Sequence, residues 1–155
     1  MAEMLKVVEF QLKGETYGVD IHQVRSIEKL QNVIEVPKTP DFIKGVINLR
    51  GDITPIVDLS ERLDIGRTDV TEDTRVLIVQ IRDIQIGLVV DSATDVIDID
   101  PNVVEKAPPI IKGVDASYIK GVAKLDDTLL ILLDLQHVLN LDEINTVAQV
   151  IEKER

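Results

Sequence analysis

The sequence predicts a mainly β protein assembled from two copies of one small antiparallel barrel unit. Three observations predict it: apolar residues recur with period two along much of the chain, the pattern begins again at residue 76, and the apolar material is almost all aliphatic. The chain has 155 residues and is 45% hydrophobic but only 3% aromatic, with no Trp. Its core must be built from Val, Ile and Leu, and the β-branched members of that set favour strands.

Val8, Phe10 and Leu12 alternate with Glu9, Gln11 and Lys13, the mark of a strand with one buried face. Lys13-Gly14-Glu15 is a turn, and Tyr17, Val19 and Ile21 resume the alternation, so Val7 to Ile21 reads as a hairpin. Val24 and Ile27 follow as a short bend leading into a strand, and Pro37 and Pro40 bracket a loop. Ile43 to Leu63 reads as strand, turn, strand and helical turn, with the turn at Arg50-Gly51-Asp52. Pro55 lacks an N–H, which places its strand at an edge or at a bulge. Asp58-Leu59-Ser60-Glu61 resembles a capping box that opens a short helix.

After a polar linker the pattern restarts. Val76 to Ile81 echoes Val7 to Leu12, and Gly87-Leu88-Val89-Val90-Asp91 echoes Gly18-Val19-Asp20-Ile21-His22, both 69 residues later. Ile119-Lys120-Gly121-Val122 repeats Ile43-Lys44-Gly45-Val46, and Leu132-Leu133-Asp134-Leu135 repeats Ile56-Val57-Asp58-Leu59, both 76 residues later. The larger offset places extra length in the second copy, around Ala107-Pro108-Pro109-Ile110 and Gly113. The expected organisation is a first barrel over 1–66, a linker over 67–75, a second barrel over 76–141 and a helix over 142–155. Ile144, Val147, Ala148 and Ile151 give that last segment its amphipathic face. Barrel closure removes the free sheet edges that otherwise aggregate.

The charge pattern narrows the function. With 28 acidic and 17 basic residues the formal net charge is −11, which disfavours nucleic acid and anionic lipid as partners. There is no Cys, hence no disulfide, thiolate nucleophile or Cys-based metal site. No apolar run approaches the ~18 residues of a membrane helix, and the N-terminus has no basic stretch followed by an apolar one. The expectation is a cytoplasmic protein without membrane insertion.

Candidate chemistry is sparse. His22 and His137 each lack a neighbouring His or Cys. Asp20, Asp58 and Asp91 would have to converge in one cleft to serve a hydrolase, but Asp58 and Asp134 hold equivalent strand-to-helix junctions, where capping explains an aspartate. No phosphate-cradling glycine loop and no G-x-S-x-G elbow occurs. Two features fit partner contact. Arg50 stands at a hairpin tip, where it can pair with a carboxylate of this chain or of another. Val33, Ile34 and Val36 before Pro37 either form an exposed apolar patch or close the first barrel. A hollow barrel holding a small apolar ligand is a third reading, though barrels this small are filled by side chains.

At Tyr17-Gly18-Val19-Asp20-Ile21, at Pro40 through Gly51 with its G-V-I-N-L-R-G block, and at Pro55-Ile56-Val57-Asp58-Leu59, the chain resembles the CheW family of bacterial chemotaxis coupling proteins. Val89-Val90-Asp91 and Ile131-Leu132-Leu133-Asp134 match the corresponding second-half blocks, and the resemblance runs from about Val7 to Leu141. It implies two five-stranded SH3-like barrels packed side by side, with no cofactor, no metal and no catalysis. It implies an adaptor between transmembrane chemoreceptors and the histidine kinase CheA, monomeric alone and assembled in arrays at receptor clusters on the inner face of the membrane. Carried onto this chain, the resemblance places a first contact set, toward the kinase's regulatory domain, at Ile34, Val36, Pro37, Arg50 and Gly51. A second set, toward the receptor's cytoplasmic tip, falls at Val24, Ile27, Val89 and Val90. The second copy departs at Leu125-Asp126-Asp127, where the first has Leu49-Arg50-Gly51, so the two surfaces are not expected to be equivalent.

Overall fold

The computed structural model describes residues 3–139. The first hairpin is β1 (Leu5–Leu12) and β2 (Glu15–Asp20), joined by Lys13-Gly14 with φ of 52° and 80°. Two positive φ values give the turn the twist that antiparallel strands need. Ile21 leaves the strand for a 3-10 turn over Ile21–Gln23, fixed by the Asp20 carboxylate accepting the His22 N–H at 2.9 Å. Then come β3 (Val24–Lys29), β4 (Ile43–Leu49), β5 (Asp52–Asp58) and α1 (Leu59–Arg62). The second half supplies β6 (Arg75–Ile81), β7 (Ile84–Val90), β8 (Ser92–Ile99), β9 (Val104–Glu105), β10 (Ile110–Ile111), β11 (Val114–Asp115), β12 (Ile119–Leu125), β13 (Thr128–Leu133) and α2 (Leu135–Val138). The extra length of the second copy is the small β10–β11 hairpin. The amphipathic helix expected over 142–155 lies outside the described residues.

The mainly β class is as expected, but the pairing corrects the expected boundaries. One sheet has the order β8-β1-β2-β13-β12-β9 and the other β3-β6-β7-β5-β4. Each sheet therefore draws on both halves of the chain, and the spans 1–66 and 76–141 do not each form their own barrel. The leading hairpins are exchanged: β2 runs parallel to β13, with Tyr17 opposite Ile131, and β7 runs parallel to β5, with Leu88 opposite Val57. Repeat periodicity cannot reveal the exchange, because the two leading hairpins carry the same pattern and either one satisfies either sheet. The strand number is also corrected, since the first sheet has six strands and only the second has five.

Neither sheet closes by a continuous ladder among the described residues. In the first, β9 bonds the free edge of β12 through Val122–Glu105 and Ala123–Val104. In the second, only Ile34 reaches the edge of β4, with both backbone bonds to Val46, at 2.8 and 2.9 Å. The repeated I-K-G-V block explains why a strand can lie there. A Cβ at Gly45 would stand 2.1 Å from the Ile34 carbonyl oxygen, and one at Gly121 would stand 2.6 Å from Val104 Cγ1. Gly45 also adopts φ 139°, which L side chains rarely take.

Alternation divides the core three ways. Val8, Phe10, Leu12, Tyr17 and Val19 from one sheet join Leu77, Val79, Ile81, Ile86, Leu88 and Val90 from the other in one large apolar cluster. The opposite faces build two small clusters, Ile47, Leu49, Ile56, Val76, Ile78 and Val89 in one, and Val7, Ile99, Ala123, Leu130 and Leu132 in the other. The largest apolar body of the protein is thus shared between the sheets. For Pro55 the edge alternative is corrected, since β5 is an interior strand, while the β4–β5 ladder does carry an irregularity next to it, on β4 between Ile43 and Gly45. The partner of Pro55, Val46, spends both backbone groups on Ile34, so no N–H is required of Pro55 on that side, and pairing with β7 begins only at Ile56.

Candidate interaction surfaces

The first contact set lies along and beside β4. Ile34 is 63% exposed although its backbone is fixed to Val46: the main chain adds a single bridge at the β4 edge without closing the sheet, and the side chain faces solvent. Val36 is half-buried against the shared cluster, and Pro37 is exposed. The loop is tied at its far end by Ile43 N–H to the Pro40 carbonyl, at 3.0 Å. Arg50 and Gly51 form the β4–β5 turn with φ of 50° and 91°, and the Asn48 side chain accepts the Gly51 N–H at 2.9 Å. Val46 and Arg50 are four residues apart on one strand, so Ile34 and the turn are separated by roughly 13 Å at about 3.3 Å per residue. Arg50 does not extend freely: its Nη2 donates to Glu28 Oε1 on β3 at 3.1 Å, across the gap that the ladders leave open.

The second set is only half accessible. Ile27 on β3 is 44% exposed, and Val24 is half-buried against the shared cluster. Val89 and Val90 are 5% and 0% exposed. They cannot present side chains to a partner, which corrects their assignment. β7 sits between β6 and β5 with both faces covered, so consecutive residues point into different clusters, Val89 into a small one and Val90 into the shared one. An apolar run of this kind marks a strand buried on both sides rather than a binding face.

The candidate acidic residues have structural partners. Asp58 is buried, and its carboxylate accepts Ser60 N–H at 3.1 Å, Thr68 N–H at 3.0 Å and the Thr68 hydroxyl at 2.8 Å. It therefore caps α1 and also fastens the segment between α1 and β6. The second half of the capping box is not formed, because Glu61 turns to Lys44 at 2.6 Å and Arg67 at 2.9 Å. Burial pushes the Glu61 carboxyl up, but the bonds from Lys44 and Arg67 outweigh it and hold the group below its ordinary value. Asp134 makes no cap; it bonds His137 Nδ1 at 2.7 Å instead. Asp91 accepts the Lys13 N–H at 2.8 Å, and Asp20 holds the turn at His22. At Asp20 too burial acts upward, and the His22 backbone and ring bonds prevail and lower it. Among the described residues no group of three or more His, Cys, Asp or Glu could hold a metal ion.

Replacing Asp58 by alanine removes a cap and leaves buried donors unpaired, with an expected loss of about 1–3 kcal/mol. Urea titration followed by circular dichroism reads it, and an unchanged midpoint would contradict the role given to this carboxylate.

Sequence reasoning missed three participants: Glu28 as the partner of Arg50, Gly45 as the seat of Ile34, and Thr68 as the anchor of the linker. Gly45 left a trace in the repeated I-K-G-V block, whereas the Glu28 and Thr68 contacts join residues 22 and 10 positions apart with no local signal.

Comparison with known proteins bears on the family and the fold. The CheW-like domain family matches residues 6–143. A chemotaxis protein CheW of Bacillus subtilis (strain 168) is 40% identical over 136 residues, which cover 87% of this chain and 86% of that protein. A chemotaxis protein CheW of Klebsiella aerogenes is 35% identical over 141 residues, 91% of this chain and 85% of its own. The crystal structure of the scaffolding protein TtCheW from Thermoanaerobacter tengcongensis superimposes with a TM-score of 0.82 at 39% identity, covering 90% of this chain and 92% of the other. Among the described residues no helix is long and apolar enough to cross a membrane.

Proposed function

Because this chain belongs to the CheW family of chemotaxis scaffold proteins, we propose that it couples the cytoplasmic tips of transmembrane chemoreceptors to the histidine kinase CheA, by binding and without catalysis. The kinase's regulatory domain docks on the β4 side, on Ile34, Val36, Pro37, Arg50 and Gly51. The receptor tip docks on the β3 side, on Val24 and Ile27. The chain is a monomer alone and joins larger arrays at receptor clusters in the cytoplasm. The observation that carries this reading is Ile34, a large aliphatic side chain 63% exposed on a backbone held by two hydrogen bonds. An apolar group already ordered in its exposed position loses little conformational entropy on docking. Two contacts on one rigid body let a receptor shift bias the kinase, a coupling typically worth ~1–3 kcal/mol.

Titration calorimetry with the purified CheA regulatory domain tests the kinase contact. Ile34→Glu places a charge in the centre of the interface and is expected to weaken binding at least tenfold, about 1.4 kcal/mol. Arg50→Ala is expected to weaken binding while costing less than about 1 kcal/mol of stability, since its pair with Glu28 is solvent-exposed. If both folded variants bind like the parent, this placement of the contact is wrong. If the parent itself binds neither kinase nor receptor, the coupling role falls.

A further inference from the structure

The coupling mechanism requires the two sheets to keep a fixed mutual orientation, and the apolar cluster between them is non-directional. Directional bonds cross that junction too: Lys13 Nζ donates to the Arg67 carbonyl, and a second cation, Arg62, is held there against two rings. The Arg62 guanidinium, at the end of α1, stands 4.9 Å from the Phe42 ring centroid and 5.5 Å from that of Tyr118. Its Nε donates to the Val138 carbonyl at the end of α2. Phe42 and Tyr118 are repeat equivalents, each immediately before its I-K-G-V block and 76 residues apart, and so are Arg62 and Val138. The guanidinium therefore sits where the two copies meet, between a matched pair of rings. Only one copy can supply a cation there, because a second would face the first at close range. The other copy has Val138, fully buried.

We infer that Arg62 is a positioning residue that sets the orientation of the two sheets, and with it the relation between the two docking faces. This rests on the coupling role only for its functional consequence; the orientation itself is measurable without any partner. A planar guanidinium suits the task because it stacks on two rings while its Nε–H still points along its own plane. Neither an aliphatic side chain nor an ammonium combines those contacts.

The test exploits the absence of cysteine from the sequence. Nitroxide labels at Lys29→Cys on β3 and Val96→Cys on β8, both exposed strand positions in different sheets, report the distance between sheets by double electron–electron resonance. The parent is expected to give one narrow distance. Arg62→Met, which keeps an unbranched apolar stem without the guanidinium, is expected to broaden or shift it, and Arg62→Lys to do so less. On the unlabelled proteins, Arg62→Met is expected to leave each binary affinity within about twofold. It should also reduce any coupling between receptor and kinase, typically roughly 5–150-fold, toward unity. An unchanged distance distribution in both folded variants overturns the positioning role, whatever the partners prove to be. A changed distribution with coupling intact leaves Arg62 as an orienting residue and counts against the fixed-geometry mechanism of the proposed function.

Discussion

Replacing Gly45 by alanine is expected to lift the Ile34 segment off β4 and to cost about 3–5 kcal/mol. The new Cβ would lie 2.1 Å from the Ile34 carbonyl oxygen and 2.8 Å from its carbonyl carbon. Both obstacles are backbone, so no rotamer change relieves them. The φ of 139° adds strain of roughly 1–3 kcal/mol for a residue with a side chain. Separation then breaks the two Ile34–Val46 bonds, at about 0.5–1.5 kcal/mol each. Native-state hydrogen exchange is the sharpest readout. The amides of Ile34 and Val46 should lose protection, while those of β6 and β7 keep most of theirs. Kinase binding should fall along with them, because Ile34 loses its fixed position. Gly121→Ala provides the contrast: its nearest obstacle is a Val104 methyl at 2.6 Å, with the Glu105 carbonyl oxygen at 3.0 Å, and a side chain yields more easily than backbone. Retained protection at Ile34 and Val46 in Gly45→Ala would refute the role given to Gly45 as the seat of the Ile34–Val46 bridge.

Phe10→Ala is expected to destabilise by about 3–5 kcal/mol, a large share of the roughly 5–15 kcal/mol that holds an ordinary domain together. Phe10 is fully buried in the shared cluster and stacks on Tyr17 with centroids 5.9 Å apart and planes at 17°. Its loss leaves a void between the sheets, so both are weakened together. The expected urea curve is a single transition moved to lower denaturant, by on the order of 2 M for an m-value of roughly 1–3 kcal/mol per M. Circular dichroism and tyrosine fluorescence should coincide. Two separate transitions would mean that each sheet stands alone, and the account of one shared core would fail.

The strands themselves were legible because period-two alternation is a local property. Val8, Phe10 and Leu12 face one way, and the structure buries all three. The turn at Arg50-Gly51 was legible for the same reason, since the chemistry of a two-residue hairpin is written in two residues. The second contact set was less legible. Val24, Ile27, Val89 and Val90 look alike in composition, yet only Ile27 is well exposed, because the neighbours of a strand decide which of its faces meets solvent. Glu28, which fixes Arg50, carries no mark in its own neighbourhood, since its partner arrives from a different strand.

By itself the sequence determined the β class, the duplication and the family, because periodicity, repeat spacing and signature blocks are one-dimensional quantities. Only the tertiary structure decided which copy's hairpin completes which sheet, that Val89 and Val90 lie inside, and that a single arginine stands between two equivalent rings. A strand's hydrogen bonds and burial depend on what lies beside it, and the order of residues along the chain leaves that choice open wherever two segments offer the same pattern.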